Sequence, residues 1–164
     1  MIPNLLWTII HLTPLVIYCF KEMEPFWMYV TLGLSCLTTF LPQSFYNKLQ
    51  LSSSTAVYKK IGVGWVRKFS QDGDMINKWA RKKYPDYKVI TGDRRKYLLR
   101  IAVNERFHFV VLVFFLFTTI HTLLNMNTGW FFLFIFSNVL YNVYPMFLQQ
   151  YNRLRIQQLS QRKR

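Results

Sequence analysis

Two residues in this chain stand where acid–base chemistry is readily built. Glu105 and His108 lie three apart at the start of an apolar stretch, a spacing that on a helix puts both on one face, about one turn apart. A carboxylate there can hold an imidazole in one tautomer and raise its basicity, leaving the other ring nitrogen to take a proton from a hydroxyl. That is the arrangement a general base needs. The same Glu-x-x-His can instead cap a helix at an interface and bond only to neighbouring backbone. It is not a zinc-protease motif, because the second His and adjacent Glu of that motif are absent, and no metal is expected. Ionisable groups at the edge of an apolar segment are costly to bury, which makes them the first place to look for function.

A second set is longer. Asn138, Asn142, Pro145, Gln149, Asn152 and Arg153 recur at helical spacing and fit a stripe roughly 100° wide. Amides in membrane helices usually hydrogen-bond across a helix interface, which accounts for Asn138. For the denser cluster of Asn142, Gln149, Asn152 and Arg153, ligand binding and helix assembly are equally good readings. Pro145 removes one helical hydrogen bond and frees a carbonyl near the polar face. His11 is alone in its segment, and His121 lies opposite Glu105 and His108 near the far turn. Both read as packing or interface residues.

The elements that must position these groups come as apolar blocks. The chain of 164 residues is 52% hydrophobic, but the apolar residues are concentrated in four stretches and not spread as a soluble core requires. Two run from about Leu5 to Phe20 and Phe26 to Leu41, joined by the tight link Lys21-Glu22-Met23-Glu24-Pro25. Both are slightly short of the roughly 17 to 25 residues that span a bilayer, so they must recruit flanking residues such as Pro3, Trp7 or Tyr46. A third runs from near Ile101 to Leu124 and a fourth from Trp130 to Leu148, joined by Asn125-Met126-Asn127-Thr128-Gly129. The expected fold is an all-α integral membrane protein with four transmembrane helices as two hairpins. Residues 1–46 form the first hairpin, 47–100 a basic amphipathic cytoplasmic loop with an interfacial helix, 101–150 the second hairpin, and 151–164 a basic tail. The N-terminal stretch has no basic residue ahead of it and no clear cleavage site, so it reads as a retained helix.

The formal charge of +14 is explained by topology and anionic headgroups, and a nucleic-acid partner is not expected. Fourteen of the 21 Lys and Arg residues lie between Pro42 and Arg100 against four acids, and five more follow the fourth stretch. The short turns hold only Lys21. This bias predicts a multi-pass protein of the cell (inner) membrane with both termini and the long loop in the cytoplasm. In the loop, Trp65, Phe69, Trp79, Tyr84 and Tyr87 alternate with Arg67, Lys68, Arg81, Lys82 and Lys83, as in segments lying on headgroups. A short helix is expected from Asp74 to Lys83. Cys19 and Cys36 fall inside apolar stretches and read as small apolar side chains.

The C-terminal run Asn142-Val-Tyr-Pro145-Met-Phe-Leu-Gln149-Gln-Tyr151-Asn152-Arg153-Leu-Arg155, with the preceding Glu105-x-x-His108, resembles the glycosyl-4,4'-diaponeurosporenoate acyltransferase family. The resemblance is strongest from about Arg100 to the end, with a weaker echo at Val66-Arg67-Lys68-Phe69 and Asp72-Gly73. Gln150 stands where that pattern has Arg. The resemblance implies acyl transfer to a sugar hydroxyl of a glycosylated lipid or carotenoid-like acceptor. His108 would be the base and Glu105 would orient it. Asn142, Gln149 or Asn152 would bind the sugar or the developing oxyanion, and Arg153 and Arg155 an anionic group of the donor. No bound cofactor is implied. The co-substrate would be an acyl donor: acyl-CoA, acyl carrier protein or phospholipid. Without a Ser or Cys in a nucleophile motif, direct transfer is preferred to an acyl-enzyme. The competing class is a non-enzymatic membrane subunit that uses its polar face to bind a membrane protein partner and its basic loop to dock lipid. A lipid reductase or methyltransferase ranks third.

Overall fold

The computed structural model describes residues 2–69, 79, 82–84 and 94–161, which are almost entirely helical and contain no strand. Helix α1 (Ile2–Lys21) and α2 (Pro25–Leu37) form the first hairpin. Its turn is closed by the Glu22 amide on the Tyr18 carbonyl at 2.9 Å, and Pro25 starts α2 where a missing N–H is harmless. Short helices α3 (Gln43–Lys48), α4 (Thr55–Lys60) and α5 (Val63–Phe69) follow. Ser54 caps α4 through its side chain, and Gly62, at φ +86°, supplies the left-handed residue that lets the chain leave α4 and enter α5. The second hairpin is longer: α6 (Arg94–Leu124), then α7 (Thr128–Asn138), a π turn (Val139–Val143) and α8 (Tyr144–Gln161).

Among the described residues, two helices and not the expected four are long and apolar enough to cross a membrane: α6, and the continuous rod Thr128–Gln158 made by α7, the π turn and α8. Only 22% and 39% of their most apolar windows are buried within the protein, so most of that surface faces outward, as lipid-facing helices require. The first hairpin falls short because α2 does not recruit its flank. It has 13 residues, about 20 Å of helix against a hydrocarbon core of about 30 Å. After a 3₁₀ turn (Thr38–Phe40) the chain bends at Leu41-Pro42. The Thr38 carbonyl fixes the bend by accepting from the Leu41 amide at 3.2 Å and the Tyr46 hydroxyl at 2.8 Å. Arg106 of α6 clasps the same corner, donating to the Thr39 carbonyl at 3.1 Å and lying over the Tyr46 ring.

Two apolar clusters hold the assembly. One, around Leu15, Tyr18, Phe115, Phe134 and Tyr141, joins α1 to the second hairpin. The other, around Tyr58, Val63, Leu148, Tyr151 and Leu154, seats α4 and α5 on α8. The first part of the long loop is therefore packed against the second hairpin, beyond the surface cap expected of it. The helix expected from Asp74 to Lys83 falls largely outside the described residues. Trp79 is exposed with the Lys83 ammonium over its ring.

Candidate functional site

The antiparallel course of α6 and the returning rod stacks the polar residues in levels. At the basic end sits Glu105, 1% exposed. Its Oε2 accepts from Arg153 at 2.6 Å and its Oε1 from Gln150 at 3.2 Å. One turn deeper lies His108, and beyond it Asn138 donates to the Leu112 carbonyl at 3.2 Å. Glu105 thus makes its bonds to α8, and the carboxylate–imidazole pair expected of Glu-x-x-His is not formed. The physical reason is charge. A buried carboxylate is stabilised far more by a guanidinium within hydrogen-bond reach than by a neutral ring one turn away.

Gln150 is the residue that sequence reasoning undervalued. Fully buried, it donates to Glu105 and to the Leu49 carbonyl at 3.3 Å, and its Oε1 accepts from the Leu51 amide at 3.2 Å and the Tyr58 hydroxyl at 3.0 Å. Arg153 also donates to Gln50 Oε1 at 3.0 Å. The strand of chain at residues 49–52 is therefore tied to α8 by one amide and one guanidinium. Burial pushes the Tyr58 phenol above its ordinary value, so it stays neutral and can both donate and accept. The available signal was the spacing of three between Gln150 and Arg153, which lets both reach one carboxylate on the facing helix.

Around His108 the π turn shapes the site. Pro145 has no N–H, and in an α-helix its ring would clash with the carbonyl four residues back, that of Tyr141. The chain widens into the π turn immediately before it, a device common at functional sites. The Tyr141 carbonyl and the Asn142 amide consequently lie beside the His108 ring. Asn142 donates to Asn138 Oδ1 at 2.8 Å, while Asn142 Oδ1 and His108 Nδ1 are buried with no hydrogen-bond partner. Such groups are rare in folded proteins and call for an explanation, an ordered water, a ligand or a catalytic role among them.

The remaining expected site residues divide. Gln149 and Asn152 are half-buried on the same side of α8. Arg155 is exposed, with its guanidinium 5.7 Å over the Tyr151 ring, and does not join Arg153, from which a two-residue step turns it by about 200°. In its place, Arg94 and Arg95 of α6 join Arg153 in lining a groove of about 580 Å³, together with Gln43, Asn47 and Gln157. No acid lines it. A shallower depression at the opposite end, lined by Met126 to Trp130 and Leu133, holds no ionisable group. His121 accepts from or donates to the Tyr18 hydroxyl at 2.9 Å, an interface role. His11 is 5% exposed and packs on Trp7 and Tyr141, yet neither of its ring nitrogens has a partner.

A hairpin of helices that could span a membrane, with buried Glu105 and Asn142 and half-buried His108 and Arg153 towards its basic end, gives an all-helical protein a candidate polar site. No curated protein and no solved structure matched the chain significantly. A family model did match, over residues 42–162. The chain belongs to the glycosyl-4,4'-diaponeurosporenoate acyltransferase family, and its general function is accordingly that of an acyltransferase. The matched residues contain the whole Glu105–Gln150–Arg153 network, His108 and the groove. They exclude α1.

Proposed function

We propose that this protein moves a fatty acyl group onto a sugar hydroxyl of a glycosylated lipid or carotenoid-like acceptor, with His108 as general base. The observation that carries the reading is an inward-lying imidazole whose Nδ1 has no partner, in a chain of an acyltransferase family. The carbonyl of Tyr141 beside the ring favours the tautomer that donates to it, leaving the other nitrogen's lone pair for a hydroxyl. As the hydroxyl oxygen attacks the acyl carbonyl carbon, His108 takes its proton. The new ester C–O bond forms, the donor's C–S or C–O bond breaks, and the proton passes from His108 to the departing thiolate or alkoxide. Asn142, with Gln149 and Asn152 further along the rod, binds the sugar or the oxyanion.

Glu105 acts by position. It locks Arg153 and Gln150, and so holds α8 and residues 49–52 in register with α6. The groove of Arg94, Arg95 and Arg153 takes the anionic end of the acyl donor, a phosphate of coenzyme A, of a carrier protein's prosthetic arm or of a phospholipid. Arg67 and Arg155, which bracket Tyr151, face headgroups. The basic loop and tail lie on the cytoplasmic side of the cell membrane, where anionic lipid gathers. The non-enzymatic subunit reading has no such support from the family match. Lipid mass spectrometry of cells with and without the protein tests the proposal: an acylated glycolipid disappears with it, and an unchanged lipid profile would refute it.

A further inference from the structure

His11 belongs to α1, outside the residues that match the family, and its sequence context reads as packing. Its ring does pack, edge-on to Trp7 at 4.6 Å and tilted to Tyr141 at 5.7 Å. Packing does not account for its nitrogens. The residue is 5% exposed, and both Nδ1 and Nε2 are buried without a partner. A buried polar atom without a hydrogen bond is unfavourable by about 1–3 kcal/mol, and a Phe or Leu would pack as well with no such cost.

The other face of the arrangement is His108, whose ring centroid lies 5.7 Å from that of the same Tyr141. Tyr141 is itself fixed, its hydroxyl donating to Thr8 of α1 at 3.1 Å. Three elements thus converge on one tyrosine, and the orphaned atoms are His11 Nδ1 and Nε2, His108 Nδ1 and Asn142 Oδ1. Two neutral imidazoles and an amide oxygen offer both donors and acceptors and no charge. Among the described residues no Lys or Arg is bonded to these atoms to hold a phosphate, and hydrocarbon would leave every one of them unsatisfied. Neighbouring hydroxyls, each donor and acceptor at once, fit.

We propose that His11, from the first helix, binds the sugar of the acceptor through its hydroxyls, completing a site whose other half is His108 and Asn142. The assignment rests on the acyl-transfer reading for the identity of the acceptor, but binding can be measured without transfer. Purified protein in polyoxyethylene detergent, whose headgroup carries no sugar, is titrated with radiolabelled octyl β-D-glucoside, and with octanol and dodecylphosphocholine as sugar-free competitors. The wild type binds the glucoside saturably and neither competitor displaces it. His11→Phe, which keeps the ring packing, weakens binding about tenfold, the loss expected for a hydrogen-bonded partner, and His11→Gln recovers part of it. Wild-type affinity in His11→Phe, or displacement by octanol, would overturn the proposal. If binding behaves as stated while the wild type transfers no acyl group, the sugar site stands and the acyl-transfer reading falls. If transfer proceeds in His11→Phe with unchanged acceptor KM, the role of His11 falls and the acyl-transfer reading stands.

Discussion

Removing the Glu105 carboxylate should unsettle the fold as much as the chemistry. In Glu105→Ala, Arg153 loses its bond of 2.6 Å and keeps only Gln50 Oε1 at 3.0 Å, with its side chain 11% exposed. Gln150 loses one acceptor but retains the Leu49 carbonyl. Taking one partner from a buried ion pair typically lowers stability by about 3–5 kcal/mol. Arg153 lines the groove and can turn toward water there, which places the loss near the lower end, about 3 kcal/mol. For a chain of this size each kcal/mol moves Tm by about 2–4 °C, so the midpoint should fall by about 6–12 °C. The assay is thermal unfolding in detergent across a double-mutant cycle with Arg153→Met. Because the arginine is harmful only when its carboxylate is missing, the double variant should recover most of the loss, with a coupling of about 2 kcal/mol. A Glu105→Ala midpoint within about 1 °C of wild type, or strictly additive single effects, would refute the claim that this pair locks α8 to α6.

Three further outcomes follow from the same geometry. Gln150→Leu leaves the Leu51 amide and Tyr58 hydroxyl without their buried acceptor, so stability should drop by about 2–3 kcal/mol; limited proteolysis should then open the chain near residues 49–54 while α6 remains protected. Burial raises the Tyr58 phenol, so the unfolded chain ionises first. Stability should therefore be insensitive to this group below its ordinary value of about 10 and fall as pH rises above it. Tyr58→Phe should flatten that fall in melting experiments at alkaline pH, and an identical slope would count against it. Arg94→Gln with Arg95→Gln should raise KM for an anionic acyl donor about tenfold and weaken its dependence on salt, leaving the acceptor KM unchanged; an unchanged donor KM would remove the groove from the account.

How much of this was legible in the sequence varies with the physics involved. Apolar run length made the second hairpin plain, because nothing else explains Phe107–Leu124 and Trp130–Leu148. The same criterion overestimated the first hairpin. Hydropathy continues to Leu41, but Pro42 and the Thr38–Tyr46 bond end the helix early, and that bond joins residues from different elements. Helical spacing correctly gathered Asn138 and Asn142, which are bonded to each other. It treated the rod as uniform, however, and the π turn shifts everything after it, so Gln150 turns inward beside Arg153. Pro145 was the visible hint of that shift. The partner of Glu105 was hidden for a different reason: spacing along one helix shows His108 as a neighbour, whereas the facing helix supplied a stronger one. His11 gave no signal at all, since its surroundings are set wholly by how α1 packs on Tyr141.

Acyl transfer by the purified protein tests the central claim most directly. The wild type, reconstituted in lipid, is supplied with labelled acyl-CoA, acyl carrier protein or phospholipid and a glycosylated lipid acceptor, and the same is done with His108→Gln, whose folding is checked by its melting midpoint. The account predicts an ester of the acceptor sugar with the wild type and a rate at least about 100-fold lower for folded His108→Gln, the usual scale for a lost general base. Transfer at the wild-type rate by His108→Gln, or no transfer by the wild type from any of the three donors, would contradict it.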